Sequence, residues 1–339
     1  MAKPAHDKLG ITAAIPLLRL DHVLAFSDFL NDIGAPFEKT LERNQLPVAC
    51  ENLNRYVPLA RAWAFFDDIA RTEDPIAGWT VGRMAGDRHM NGDLIRRFEA
   101  SPSVYQALHK FLAMKKAEAT TSDMGIVERT NDILLFTRYQ GKSNDIGYHQ
   151  SQAYQIGVLI GLMRHFLGAS WIPHQIGIEH QSILPGVQEM FPDSQILTGQ
   201  FAGFIVIPRC FLHLSACNKN PNIKSNESNV PPDETNVATV VTELVRTYMP
   251  DGYPSAAKTA KILGFSERSL ARKLSTSGIT YGDIVDEERF KIAKDLLKQP
   301  DIKKREIAMA LGFDDPSNFG RMFRRLAGIS PKQYSNLFR

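Results

Sequence analysis

The chain has 339 residues, 43% of them hydrophobic and 23% charged, with a net charge of +3. That length suits two or three domains, each with a core of its own, and those proportions exclude a chain disordered throughout. No run reaches the roughly eighteen uninterrupted apolar residues of a membrane span: AYQIGVLIGLM (153–163) ends in Arg164 and His165. The N-terminus, MAKPAHDKLG, leads into no secretory signal, so the expected compartment is the cytoplasm, without membrane attachment.

Helical patterns occupy 22–33, 57–72, 76–85 and 103–118. Two strand-like runs, SDMGIVERT and DILLFTRYQG, meet at Asn131-Asp132 as a hairpin. An apolar helix at 150–167, a strand around HQIGIEHQ, a short helix near 184–191 and the β-rich FAGFIVIP follow. This succession predicts an α+β domain with an antiparallel sheet.

The three cysteines, Cys50, Cys210 and Cys217, are too few and too odd in number for a disulfide framework. No Cys-x2-Cys or His-x3-His spacing exists to seat a tetrahedral ion, so neither metal nor cofactor is expected. A thiol-redox switch at Cys210 and Cys217 stays open as an alternative, although neither stands in a basic cluster that would lower its pKa. His149, His165, His174, His180, Trp79, Trp171 and Tyr154 are the conspicuous candidates for touching a small-molecule effector. Such residues are more often core than ligand contacts, and none singles itself out.

NKNPNIKSNESNVPPDETN (218–236) is rich in asparagine and serine, holds three prolines and is almost free of apolar residues. It is the expected flexible linker between a domain at 1–217 and another at 237–339. Charge divides along the chain as well. From Tyr253 to Arg339 there are 17 Lys and Arg against 10 Asp and Glu, so the positive excess lies in the last quarter, as suits a polyanion-binding module.

Beyond the linker, VATVVTELVRTYM (237–249) places Val237, Val240, Val241, Leu244, Val245 and Tyr248 on one stripe, and PDGYP ends it. Ser255 then caps a short helix running to Ile262 or Leu263, Gly264 makes a tight turn, and Ser266 caps a second helix whose Leu270 and Leu274 face inward. The device returns in LGFDDPSNFGRMFRR (311–325): a helix from Arg305 to Leu311, a turn at Gly312, a cap at Asp314 or Asp315, and Pro316 in the first turn. The Leu-Gly-Phe triplets lie 48 residues apart, and Leu270/Phe319, Arg272/Arg321 and Leu274/Phe323 lie 49 apart. This is an internal repeat of a helix-turn-helix. YGDIVDEERFKIAKDLLKQ (281–299) joins the copies as a helix of roughly 27 Å, approaching the ~34 Å between successive major-groove faces on one side of B-DNA. The predicted fold is therefore multidomain: an N-terminal α+β domain, then an all-α domain with two helix-turn-helix units joined by a long helix.

Through LGFSERSLARKL, EERFKIAKDLL and REIAMALGFDDPSNFGRMFRRLAGISPKQY, the chain from Tyr253 to Arg339 resembles the AraC/XylS class of bacterial transcription regulators. The resemblance implies a double helix-turn-helix domain that binds double-stranded DNA near a promoter and contacts RNA polymerase, most often as an activator. Residues 20 to 210, through the stretch from NDIGAPFEKT to VGRMAGD, the hairpin and PGVQEMFP, are more loosely similar to the arabinose-binding-like domain of one AraC-type subgroup. That similarity implies effector sensing and self-association, with a homodimer as one form. The helix-first order departs from the jelly-roll sugar-binding domain of other members.

Jobs can be assigned from the residues. Ala260 and Ala308 suit close helix crossings, and Leu270, Leu274, Phe319 and Phe323 suit the core. Arg268 and Arg272 fall on the outward face of the first recognition helix, and Ser317, Asn318 and Arg321 on that of the second. Arginine pairs bidentately with guanine and asparagine with adenine. The resemblance adds Ala271 as a base contact, which can offer only a methyl group. Lys273, Arg324, Arg325 and Lys332 suit phosphates, which set affinity but not sequence. An enzyme fused to a DNA-binding domain is the remaining alternative, and the first 215 or so residues hold no nucleophile elbow, P-loop, dinucleotide fingerprint or zinc-ligand set.

Overall fold

The computed structural model describes residues 14–50, 52, 54–88, 98, 100–139, 147–215, 231–299 and 302–337. Most of the expected linker, and Cys217 with it, lies outside them. The described residues form two compact units. One comprises Pro16–Val48 and the chain from Asn54 to Pro231; the other starts at Pro232 and also takes in Ala14, Ile15, Ala49, Cys50 and Asn52.

The N-terminal unit begins with β1 (Leu17–Arg19), α1 (Asp21–Leu24), α2 (Phe26–Asp32), α3 (Phe37–Arg43), β2 (Tyr56–Pro58), α4 (Leu59–Thr72), α5 (Ala77–Arg88) and α6 (Val104–Glu118). It continues with β3 (Ser122–Glu128), β4 (Asp132–Tyr139), α7 (Tyr148–Leu167), β5 (Gln175–Gly177), α8 (Val187–Met190), β6 (Gln195–Leu197) and β7 (Gly203–Pro208). Strands β1 and β2 pair antiparallel, and the other five form one sheet in the order β3-β4-β7-β5-β6. The hairpin β3-β4 keeps one register throughout, with Ile126 opposite Leu135 and Glu128 opposite Ile133.

Several expectations need correction. The sheet is mixed, because β5 and β6 run parallel; the chain between them carries α8, and such a crossover is what a parallel pair needs. The helix expected over 57–72 starts at Leu59, because Pro58 (ψ 129°) is extended and closes β2. The pattern over 22–33 is divided at Ala25 into α1 and α2.

Helix α7 is buried almost all round, as a helix apolar on most faces requires, and Gln155, the polar residue within its apolar run, is matched by a bond from Thr137 (2.6 Å). It crosses α5 with backbones touching. A Cβ on Gly82 would lie 2.3 Å from the carbonyl oxygen of Tyr154, and one on Gly157 would lie 2.7 Å from Gly82 backbone atoms. Only glycine permits that approach. The hydroxyl of the same Tyr154 enters a buried network: Arg19 bonds Asp21 and also Glu118 (3.1 Å), while His22 reaches Glu118 (3.2 Å) and the Tyr154 hydroxyl (3.0 Å).

The C-terminal unit is helical: α9 (Val237–Tyr248), α10 (Ala256–Ile262), α11 (Glu267–Ser275), α12 (Tyr281–Leu296), α13 (Lys304–Ala310), α14 (Pro316–Ala327) and α15 (Pro331–Asn336). Its boundaries are written in capping residues. Ser255 and Ser266 accept from backbone N–H groups in the first turns of α10 and α11, Thr280 and Asp283 form a reciprocal capping box on α12, and Asp315 caps α14. Gly264 and Gly312 turn the chain with φ of +73° and +71°. The joining helix is shorter than the pattern over 281–299 suggests: its 16 residues span about 24 Å. Pro300 explains the early stop, since the residue before a proline is disfavoured in α geometry.

Candidate nucleic-acid interface

Two helices of the C-terminal unit show the same division of labour. On α11, Leu270 and Leu274 are buried while Arg268, Ala271 and Arg272 are exposed on the opposite stripe. On α14, Phe319, Met322 and Phe323 are buried while Ser317, Asn318, Arg321, Arg324 and Arg325 are exposed. A repeat of 3.6 residues separates these faces. The buried side of α14 joins Ala293, Leu297, Ile307, Ala308 and Leu311 in one core, with the Phe323 ring 5.0 Å from Phe290, 5.9 Å from Phe319 and 5.3 Å from Tyr334. Ala260 and Ala308 are buried.

The predicted base-reading residues are not independent. Arg321 donates a hydrogen bond to Oδ1 of Asn318 one turn earlier, so amide and guanidinium present themselves as one unit. The Lys273 ammonium lies over the Phe265 ring, 5.3 Å from its centroid. Lys332 is exposed at the start of α15.

Arg321, Arg324 and Arg325 share an open depression of about 510 Å³ with Lys304, Ser317, Gly320 and the start of α15. Sequence reasoning missed Lys304. Its signal lay in Gly320, whose missing side chain leaves room beside the ammonium: a Cβ there would lie 3.1 Å from Lys304 Nζ. Arg325 plays a double part, since it also pairs with Asp286 and, at 3.4 Å, with Asp283 of the joining helix. The Asp283 carboxyl is held below its ordinary range, chiefly by the Thr280 hydroxyl of the capping box and to a lesser degree by Arg325.

Two further charged residues that the sequence reading passed over hold the scaffold. Arg289 lies between the rings of Tyr253 and Phe313, 4.3 Å from each, and donates to the carbonyls of Leu311 (2.9 Å) and Gly312 (3.2 Å), clamping the second turn. Glu288, on a buried position of α12, accepts two bonds from Arg246 of α9 (2.7 and 2.9 Å) and one from Lys291 (2.6 Å). Burial opposes the Glu288 charge, but these partners outweigh it and hold the carboxyl below its ordinary value.

In the N-terminal unit, three of the conspicuous residues, Trp79, His149 and His180, come together around one cavity. Tyr154 instead belongs to the buried network of His22. His165, His174 and Trp171 do not line that cavity. Among the described residues, one cluster has metal-ligand spacing, Asp21 with His22 and Glu118. The Arg19 guanidinium already bonds both carboxylates, so the cluster closes on itself. Cys210 is exposed.

Comparison with known proteins bears on the helical unit. Residues 259–336 match the family described as Helix-turn-helix domain. The chain is 38% identical over 96 residues to the HTH-type transcriptional regulator VqsM of Pseudomonas aeruginosa, covering 28% of this chain and 30% of that one. It is 40% identical over 85 residues to the Ornithine utilization regulator of the same organism, covering 25% of each. It is 32% identical over 122 residues to the HTH-type transcriptional regulator VirS of Mycobacterium tuberculosis, covering 36% of each. The matched stretches thus span between a quarter and just over a third of these curated relatives.

Proposed function

From a C-terminal helix-turn-helix domain of the AraC type, we propose that this chain is a sequence-specific DNA-binding transcription regulator. The observation that carries the reading is the matched pair of helices α11 and α14, each anchored by an apolar face and each exposing arginine on the other. Each is the second helix of a helix-turn-helix, α10 with α11 and α13 with α14, and α12 spaces the two. The spacer's ~24 Å falls about 10 Å short of one turn of B-DNA, a gap on the order of one helix diameter. The width of the flanking helices, or a modest bend in the duplex, makes up the difference.

Arg268, Ala271 and Arg272 then read bases in one stretch of major groove, and Ser317, Asn318 and Arg321 in the next. Because Asn318 holds Arg321, the pair reads adjacent bases together, with guanine under the guanidinium. Lys273, Arg324, Arg325 and Lys332 meet phosphates, and Lys304 joins them across the depression beside Gly320. The domains at 1–217 and 237–339 work in series, the first sensing a small effector and self-associating, the second binding DNA and presenting RNA polymerase with a contact that activates transcription. Effector binding shifts the population towards the state in which both helices reach DNA.

The test is a binding titration of full-length variants on sites selected from a random DNA pool and then mutated base by base. Arg321→Ala costs about 1–3 kcal/mol at a single base pair and relaxes discrimination there. Arg325→Ala weakens every sequence alike and lowers the salt slope by about 1 or less, since Asp283 and Asp286 already neutralise part of its charge. Equal loss on every sequence for Arg321→Ala overturns its base-reading role.

A further inference from the structure

A cavity of about 370 Å³ opens in the N-terminal unit between α4, α5, α7 and the segment that follows β5, within the roughly 300–1,000 Å³ range of small-molecule sites. Its apolar wall includes Trp79, Ile178, Leu184 and Val187. Most of its polar groups are already committed. Gln150 accepts from the Gly78 N–H (3.1 Å) and donates to the Pro75 carbonyl (2.8 Å). Gln152 accepts from the Glu179 N–H (3.0 Å) and donates to the Glu179 carboxylate (2.8 Å). Arg71 pairs with Asp67 at 2.7 Å.

Two imidazoles stand apart from this accounting. The rings of His149 and His180 meet edge to face, 4.5 Å between centroids. His149 Nδ1 is buried and has no hydrogen-bond partner among the described residues, a state that native folds rarely leave without a purpose. His180 Nδ1 faces Ser182, 2.7 Å from its carbonyl oxygen and 3.2 Å from both its N–H and its hydroxyl, so that nitrogen is committed to Ser182 in either tautomer.

We propose that this cavity binds a small amphipathic carboxylate, with its apolar body against Trp79, Ile178, Leu184 and Val187 and its carboxylate at the His149–His180 edge. The site's meaning as an effector site rests on the regulator reading; its occupancy does not. Burial, and then the neighbouring His180, hold the His149 pKa below its ordinary value. An anion at the shared edge reverses that balance, so binding takes up a proton. Of the other charged groups near the pair, Asp67 is paired with Arg71, while Glu179 accepts from the Tyr148 hydroxyl (2.7 Å) and from Gln152 (2.8 Å) through one oxygen, neutral donors that leave its negative charge in place. The Tyr148 ring packs edge-on to His149.

Calorimetric titration of the full-length protein at pH 6.5 with octanoate, octanol and octylamine tests this, repeated in two buffers of different ionisation enthalpy. Octanoate is expected to bind at least tenfold tighter than either partner, with buffer-dependent heat that reports proton uptake. It is expected to weaken tenfold or more in His149→Gln, while octanol binding and the tryptophan emission of the fold stay as in the parent; His180→Gln repeats the measurement from the other ring. Equal binding of octanol or octylamine, indifference of octanoate to both substitutions, or no binding by any of the three at millimolar concentration overturns the proposal. DNA binding measured in parallel separates the two readings. Specific DNA binding without octanoate binding removes the cavity proposal alone, and octanoate binding without specific DNA binding removes the regulator reading alone.

Discussion

Replacing Glu288 by alanine should loosen the packing of α9 against the joining helix without touching any residue proposed to meet DNA. The carboxylate is 5% exposed and accepts three charge-assisted hydrogen bonds, two from Arg246 and one from Lys291. Such bonds contribute about 1.5–3 kcal/mol each when both partners are held from water. Here Arg246 is about one third exposed and Lys291 about half, so both rehydrate in the variant, and removal also relieves the desolvation of the carboxylate itself. A net loss of about 2–3 kcal/mol remains, equivalent to roughly 30- to 150-fold in an equilibrium constant.

Tryptophan emission will not report this, because Trp63, Trp79 and Trp171 all lie in the other unit. Amide hydrogen exchange read by mass spectrometry will: peptides covering 237–248 and 281–296 should lose protection by that factor, while peptides from 148–167 stay unchanged. The pH dependence has a definite sign. The Glu288 carboxyl titrates lower in the folded chain than in the unfolded one, so its stabilisation is present above the unfolded value and is lost as pH falls through the folded one. Parent and variant should converge in acid. Protection in 237–248 and 281–296 within twofold of the parent at neutral pH refutes the reasoning.

Gly82→Ala places a methyl group 2.3 Å from the Tyr154 carbonyl oxygen; prying two helix backbones apart costs about 1–3 kcal/mol or more, read as a lower urea midpoint in tryptophan emission, and an unchanged midpoint excludes the close crossing. Phe323→Ala removes a ring in contact with Phe290, Phe319 and Tyr334 and should cost about 3–5 kcal/mol, seen as lost exchange protection in 304–327 together with lost DNA binding. Burial works against charge on His22, but Asp21 and Glu118 outweigh it and raise its pKa. Its stabilisation is therefore complete below the unfolded value near 6.5 and fades as pH rises through the folded one. The urea midpoint by tryptophan emission should fall over that upper range in the parent, and His22→Gln should flatten the fall; a parent midpoint that rises there contradicts the sign.

What the sequence determined by itself is local. Ser255, Ser266 and the aspartates before Pro316, of which Asp315 is the cap, fix where helices begin because a capping side chain reaches only two or three residues along its own chain. Gly264 and Gly312 mark the turns because few other residues tolerate positive φ. The inward Leu270, Leu274, Phe319 and Phe323, and with them the outward Arg268, Arg272 and Arg321, follow from helical periodicity. Tertiary structure alone decided which distant groups meet. Glu288 reads on paper as one more solvated charge, and its burial against Arg246, 42 residues away in the chain, depends on how their two helices cross. The β1-β2 pair, the parallel β5-β6 register and the meeting of Trp79, His149 and His180 around one cavity have the same origin. A hydrogen bond or a shared wall between remote segments leaves no periodic trace in either, because what selects it is the packing of the whole unit and not the propensity of any stretch.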